Sequence, residues 1–228
     1  MDQNVILVET VPLEFDLESL GCRLRIRPGQ TKFMDRLSRL AEEAARVARP
    51  KAVARLCGLT ILDEEKVQVG EVTFSSPLLR QKMDGLGRAF PYLASEGTEL
   101  ADWSLSLSSS LEQVFASALR EVAVQQAENL LERTLLERYG IAQVSAMNPG
   151  SLKVWSLEEQ VPLFELLAPL PEKLGVTLLP SLMMRPEYSV SGVFFQTDSK
   201  FYNCQLCPKK ALRSFTTTYF TDVVIYHI

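Results

Sequence analysis

The spacing of apolar positions changes several times along the chain, and each change predicts a different element. Val5 to Val11 alternates and predicts a strand. From Gln30 to Arg49, Phe33, Leu37, Leu40, Ala44 and Val47 fall at threes and fours, which predicts an amphipathic helix closed by Pro50. Ala52 to Leu62 and Val67 to Phe74 are β-prone runs on either side of a charged turn, Asp63-Glu64-Glu65-Lys66. Pro77 opens a short helix that runs through Met83, and Gly85, Gly87 and Pro91 break the chain before a short core strand, Tyr92 to Ser95.

The longest periodic segment is Ser110 to Tyr139, with Leu111, Val114, Phe115, Ala118, Val122, Gln126, Leu130, Thr134 and Leu135 as its stripe. Ser108 to Ser110 offer caps at its start, and Gly140 ends it. Ala142 to Met147 predicts a strand. Ser156 and Glu159 have the spacing of a capping box, ahead of a helix whose stripe is Phe164, Leu166 and Leu167. Val176 to Met184 and Val190 to Thr197 read as a hairpin around Arg185-Pro-Glu-Tyr-Ser189, because Pro186 cannot continue strand pairing. Gly192 removes a side chain where some group must come close to the backbone. Hairpins and helices without a βαβαβ rhythm predict the α+β class, a mainly antiparallel sheet with flanking helices and one long helix at about 110–139.

Composition narrows the function classes. At 228 residues, 46% hydrophobic and 23% charged, the chain can bury a substantial core, and it shows no repeats, low-complexity tracts or linker. A net charge of -4 offers no basic face for phosphates, so nucleic acid is not an expected partner. Neither a basic leader nor an apolar run long enough for a membrane helix is present, which makes the cytoplasm the expected address. The single histidine, His227, is the second-last residue, which argues against a His-based triad or a two-His metal site. No dinucleotide or P-loop phosphate cradle follows a strand. The adjacent pairs Glu42-Glu43, Glu64-Glu65 and Glu158-Glu159 read as solvated surface rather than as acid/base dyads.

Three features carry chemistry. Asn148-Pro149-Gly150-Ser151 is a turn whose glycine lets main-chain groups face a ligand. Glu128 sits among Ala127, Leu130 and Leu131, where a carboxylate must be exposed, paired or holding a cation. Cys204-Gln-Leu-Cys207 is half of a zinc or iron–sulfur ligand set, and free thiols are the other reading, while Cys22 and Cys57 look like core fillers.

Taken together, Ala127-Glu128 on the long helix, Pro149-Gly150, Ser181-Leu-Met-Met-Arg-Pro-Glu-Tyr-Ser-Val-Ser-Gly192 and Asp198-Ser-Lys-Phe-Tyr202 resemble the activation domain of cobalamin-dependent methionine synthase. Phe90-Pro-Tyr-Leu-Ala-Ser-Glu-Gly-Thr-Glu-Leu100 and the Trp155 to Gln160 segment resemble single-domain relatives that stand apart from the synthase. The resemblance implies one curved α+β domain over 1–211, less specific over 1–105 and carrying a ligand groove over 106–211, with 212–228 an atypical β-prone tail.

The resemblance also implies that the domain binds S-adenosylmethionine and presents its methyl group to an oxidised corrinoid while a flavodoxin-like protein supplies the electron. Such a domain is part of a methyltransferase system rather than a complete enzyme, and its partner carries the cobalamin. By position, Glu128 would hold the ligand's ammonium, Ala146 and the Asn148, Pro149, Gly150 and Ser151 turn would offer contacts, and Phe201-Tyr202 would lie beside the adenosyl or methionyl part. The chain departs from the family pattern at Ala146, where an arginine is expected, and at Ser151 and Phe201, where tyrosines are expected. A charge-assisted arginine–carboxylate contact is worth roughly 1.5 to 3 kcal/mol, so its loss lowers the expected affinity about tenfold to a hundredfold. The alternative expectation is an adaptor for a corrinoid protein, or an electron-transfer module with a metal or Fe–S site at Cys204 and Cys207.

Overall fold

The computed structural model describes residues 3–151 and 154–198, so Phe201, Tyr202, Cys204, Cys207 and the tail lie outside the described residues. In chain order the elements are β1 (Val5–Val8), α1 (Leu17–Arg23), α2 (Thr31–Val47), β2 (Lys51–Arg55), β3 (Cys57–Ile61), β4 (Lys66–Val69), β5 (Val72–Ser75) and α3 (Pro77–Lys82). They continue with β6 (Arg88–Ser95), α4 (Thr98–Ser106), α5 (Ser110–Tyr139), β7 (Val144–Met147), a 3-10 turn at Leu157–Glu159, α6 (Gln160–Leu167), α7 (Leu170–Lys173), β8 (Thr177–Leu178), β9 (Met184–Arg185) and β10 (Ser189–Gln196). The class is α+β, and among the described residues every strand pairing is antiparallel.

β6 is the central strand, buried along nearly its whole length. One edge of it pairs with β10, which in turn pairs with β7. Its other edge takes β2 and then β3 in a single unbroken register, Lys51 opposite Ser95 through Gly58 opposite Arg88. The β-prone run expected at Ala52 to Leu62 is thus two strands in line, β2 and β3, in one continuous register along β6. It divides near Leu56 because its outer edge changes partner, from β1 to β4. The run expected at Val67 to Phe74 is instead a tight hairpin of β4 and β5, turned at Gly70, whose φ is +60°.

The expected hairpin at 176–197 is corrected by the structure. β8 pairs with β9 in a separate two-stranded ribbon, and β10 inserts between β6 and β7 of the main sheet. A strand as apolar as Ser189–Gln196, buried on both faces, needs two covered sides, which a hairpin with a two-residue neighbour cannot supply.

Alternation across β6 and β10 sends side chains to two cores. Phe90, Tyr92, Ala94, Val190 and Phe194 face α5, where they meet Val124, Ala127, Leu131 and Leu135. Leu93, Val193 and Phe195 face the other way, onto Trp155, α6, α7 and the β3–β5 extension. A third cluster lies behind the first half of α5, where Phe115, Leu119 and Ala123 pack on Leu37, Leu40 and Ala44 of α2 and on Leu100 of α4.

The bounds of α5 match those expected, and Gly140 closes it with φ +59°. Its buried residues are Phe115, Ala116, Ala118, Leu119, Arg120, Ala123, Val124, Ala127, Glu128, Leu131 and Leu135, so Phe115, Ala118 and Leu135 of the stripe read from the sequence are buried while the face as a whole is rotated from it. Val114, placed on that stripe, is 54% exposed. Phe33 likewise leaves the core of α2, where Leu37, Leu40 and Ala44 remain. The capping box at Ser156 does not form, because the Ser156 hydroxyl bonds the Glu158 carboxylate and Glu159 Oε1 accepts from the Ser75 amide at 3.1 Å. Glu159 thereby ties the start of α6 to β5.

Candidate functional site

The candidate site lies where β7 ends beside β10. The phase of the antiparallel ladder decides which main-chain groups are engaged there. Glu96 N donates to Tyr188 O at 3.0 Å and Thr197 N to Gln143 O at 3.2 Å. By alternation, Val193 and Phe195 direct their N–H and C=O groups to Met147 and Ser145, whereas those of Ala146 point to the outer edge of β7. Ser191 would occupy the next rung, but β7 has stopped at Met147. The side chain of Asn148 supplies that rung, its Nδ2 donating to the Ser191 carbonyl at 2.9 Å.

The same Nδ2 donates to the Tyr92 hydroxyl at 2.8 Å, and the Tyr92 hydroxyl donates to Glu128 Oε1 at 2.6 Å. Strand β6, helix α5 and the turn after β7 therefore converge on one polar row inside an apolar layer. Tyr92 stacks on Phe194 at 3.9 Å between ring centroids, nearly parallel, which holds the phenol over β10. Burial pushes the Tyr92 phenol well above its usual range, and the Glu128 carboxylate adds to the shift.

Gly192 is the condition for this row. A Cβ at that position would stand 2.5 Å from Met147 O, 2.6 Å from Asn148 Nδ2 and 2.9 Å from Tyr92 Cε1. The group expected from the sequence to approach Gly192 is thus the Asn148 carboxamide lying across β10 toward Tyr92.

Beyond Asn148, Pro149 is buried and Gly150 adopts φ +79°, a conformation that an L side chain rarely takes. Gly150 N donates to Trp155 O at 2.9 Å, and the Ser151 hydroxyl and amide both donate to Asn148 O, at 2.5 and 3.2 Å. The turn is thus held from within by the amides of Gly150 and Ser151 and by the Ser151 hydroxyl.

Glu128 and the Asn148 turn, far apart in the sequence, are joined through Tyr92, and Glu128 is only 7% exposed. Ala146 packs its methyl against the same layer as α5. Phe201, Tyr202, Cys204 and Cys207 belong to the chain outside the described residues. Among the described residues no group of three or more His, Cys, Asp or Glu side chains is placed to hold a metal. Cys22 is exposed and Cys57 buried, both as free thiols, with burial raising the Cys57 thiol's pKa.

Sequence reasoning missed Tyr92, Ser191 and Gln160 as members of this region. Gln160 Nε2 donates to Ser191 Oγ at 3.1 Å on the opposite face of β10. A tyrosine in the middle of a core strand was a usable signal, since a buried phenol needs a hydrogen-bond partner. Also missed was the ion pair of Glu96 and Arg120. It is bidentate, with both distances 2.6 Å, and Arg120 lies over the Tyr188 ring, 4.4 Å from its centroid. Tyr188 N adds a contact to Glu96 Oε1 at 3.3 Å. Burial pushes the Glu96 carboxyl upward while the guanidinium opposes it. This pair fixes the start of β10 against α5.

No family model matches the chain, and no curated protein matches it. Among solved structures it is similar to the crystal structure of the MetH reactivation domain bound to AdoHcy, with a TM-score of 0.59 and 17% identity, over 87% of this chain and 80% of that one. At that identity the likeness establishes the fold, which is the fold of the MetH reactivation domain.

Proposed function

We propose that this chain, which shares the fold of the MetH reactivation domain, binds S-adenosylmethionine beside the Glu128–Tyr92–Asn148 row and presents its methyl group to a corrinoid carried by another protein. The observation that carries this reading is the row itself. A carboxylate buried between α5 and the sheet, oriented by a tyrosine and set next to a strand edge at Ala146 that no other described strand pairs with, suits an amino-acid head group. A carboxylate accepts from more than one donor, so holding Tyr92 does not preclude Glu128 from holding an ammonium. The N–H and C=O of Ala146 supply the kind of main-chain donor and acceptor that fix a ligand's orientation.

The chemistry in this reading belongs to the sulfonium and to the partner's corrinoid. The protein's share is binding and orientation, which needs neither a histidine nor a nucleophile. The reductant is external, in keeping with a flavodoxin-like partner, and the protein works in the soluble compartment where such partners meet. No described helix is long and apolar enough to cross a membrane.

The functional test uses an isolated corrinoid protein held in the cob(II) state with a reductant. Adding the full chain together with S-adenosylmethionine is expected to accelerate methylcobalamin formation, followed by visible absorbance. Equal rates with and without the chain would sink the proposal.

A further inference from the structure

The loop that joins α1 to α2 is built as a rigid platform for cations. Helix α1 ends in a Schellman motif, in which Arg25 N donates to Cys22 O at 3.0 Å and Ile26 N to Gly21 O at 2.9 Å. The residue that such an end places in the left-handed region is ordinarily glycine, which has no Cβ to clash, yet here it is Arg25, with φ +56°. The loop then closes on itself, Arg27 N donating to Gln30 Oε1 at 2.8 Å and Gln30 N to Arg27 O at 3.1 Å. Leu24 and Ile26 pack into the third cluster, while Arg25 and Arg27, which alternate with them, are exposed. Backbone strain held at an exposed arginine, where glycine would relieve it, marks a side chain kept for its contacts rather than for the fold.

The first turns of α2 extend the platform. Between Arg23 and Arg39 the chain carries six cations, Arg23, Arg25, Arg27, Lys32, Arg36 and Arg39, and one acid, Asp35, although its overall net charge is -4. Glu121 pairs with Arg23, and Glu112 serves both Arg36 and Arg39, the second of which also holds Glu43. Arg25, Arg27 and Lys32 pair with no carboxylate among the described residues. The rest of the chain, residues 1–2, 152–153 and 199–228, holds only Asp2 and Asp222 as acidic side chains. Phe33, next to Lys32 in the first turn of α2, is 38% exposed.

We propose that this surface docks an acidic segment of a partner protein, with Arg25, Arg27 and Lys32 meeting its carboxylates and Phe33 covering its apolar atoms. Arginine beside an exposed aromatic ring is the composition that protein interfaces favour. The remainder of the molecule carries the negative charge, so an extended polyanion or an anionic bilayer is repelled beyond the platform, whereas a short acidic segment meets the cations alone. The chain's own residues 199–228 have the wrong sign to cover it, with Lys200, Lys209, Lys210 and Arg213 against Asp222. The surface shares no residue with the Glu128–Tyr92–Asn148 row, so the proposal is independent of what that row binds.

Fluorescence anisotropy of a fluorescein-labelled oligoglutamate peptide, titrated with the full chain, tests the proposal. The peptide is expected to bind saturably at about 50 mM salt and at least about fivefold more weakly at about 200 mM, because exposed charges are screened. Arg25→Gly is expected to weaken binding about twofold to fivefold, the scale of one exposed ion pair, while Tm stays level or rises because glycine relaxes the left-handed turn. A merely structural Arg25 would instead lower Tm in that variant. Arg25→Gly, Arg27→Ala and Lys32→Ala combined are expected to weaken binding by about tenfold or more, and Lys66→Ala, which removes one charge at the start of β4, to leave it unchanged. No binding by the wild-type chain, or equal affinities in wild type and triple variant, overturns the proposal. Tighter binding of oligouridylate, or of vesicles of phosphatidylcholine and phosphatidylserine in equal parts, overturns it in favour of a nucleic acid or a lipid surface. A dimer in sedimentation velocity that the triple variant dissociates overturns it in favour of a second copy of the chain.

Discussion

At Gly192 one absent methyl group decides whether the site exists. Gly192→Ala would drive a Cβ against the Met147 carbonyl and through the line from Asn148 Nδ2 to Tyr92, and the first of these is backbone that cannot swing aside. Overpacking of this kind costs about 1 to 3 kcal/mol, which for a chain of this size lowers Tm by roughly 3 to 10 °C in calorimetry. A melting curve unchanged by the substitution would show that β7 and β10 can separate at no cost.

Tyr92 makes a second residue-level prediction. Its phenol is raised above the ordinary value near 10, so the folded state holds this proton more tightly than the unfolded chain does. Its contribution to stability is complete below about pH 10 and is lost as pH rises through the folded value. Ultraviolet titration should therefore show one of the six tyrosines ionising late, together with loss of structure, and Tyr92→Phe should abolish that late step. Normal ionisation of all six would contradict the buried row.

Among the elements, the ion pair that joins β6, α5 and β10 is the most exposed to test. Arg120→Met leaves the fully buried Glu96 without its guanidinium. Breaking one side of such a pair costs about 3 to 5 kcal/mol, and adding Glu96→Gln should recover a large part of the loss, because the stranded charge is then gone. Denaturant melts of the single and double variants measure this, and an equally unstable double variant would show that packing rather than charge dominates.

The same elements show what the sequence made legible. Helix α5 was readable to its ends, because a long period of threes and fours bounded by serines and glycine leaves few alternatives. Its rotation was not, since it buries Arg120 and Glu128 through partners on β6, and a polar residue in the sequence carries no mark of a distant partner. Glu159 was assigned to a local cap and serves β5 instead, for the same reason. The β10 strand was recognised as a strand but given the wrong neighbour, because composition reveals that a strand is buried and not which edges cover it. Gly192 is legible in the sequence as a close approach, whereas the hydrogen bonds of Tyr92 that make the approach matter join residues far apart in the chain and leave no local mark.

At the scale of the whole molecule, the central sheet has α5 on one face and α6 with the β3–β5 extension on the other. Strands β2 and β3 lie in one register along β6, with β1 on the outer edge of β2 and β4 on that of β3. The fold is that of the MetH reactivation domain at 17% identity, so the shared features are those of architecture, and the binding residues must stand on their own geometry. That geometry buries the Glu128 carboxylate beside the Tyr92 hydroxyl and packs the methyl of Ala146 against the same layer.

The most direct test of that account is titration calorimetry of S-adenosylmethionine into the full chain and into Glu128→Gln, a substitution that keeps an acceptor for Tyr92 and removes only the charge. The account predicts saturable binding by the wild-type chain and at least about tenfold weaker binding by the variant. Absence of binding to the wild-type chain, or equal affinities in the two proteins, would contradict it.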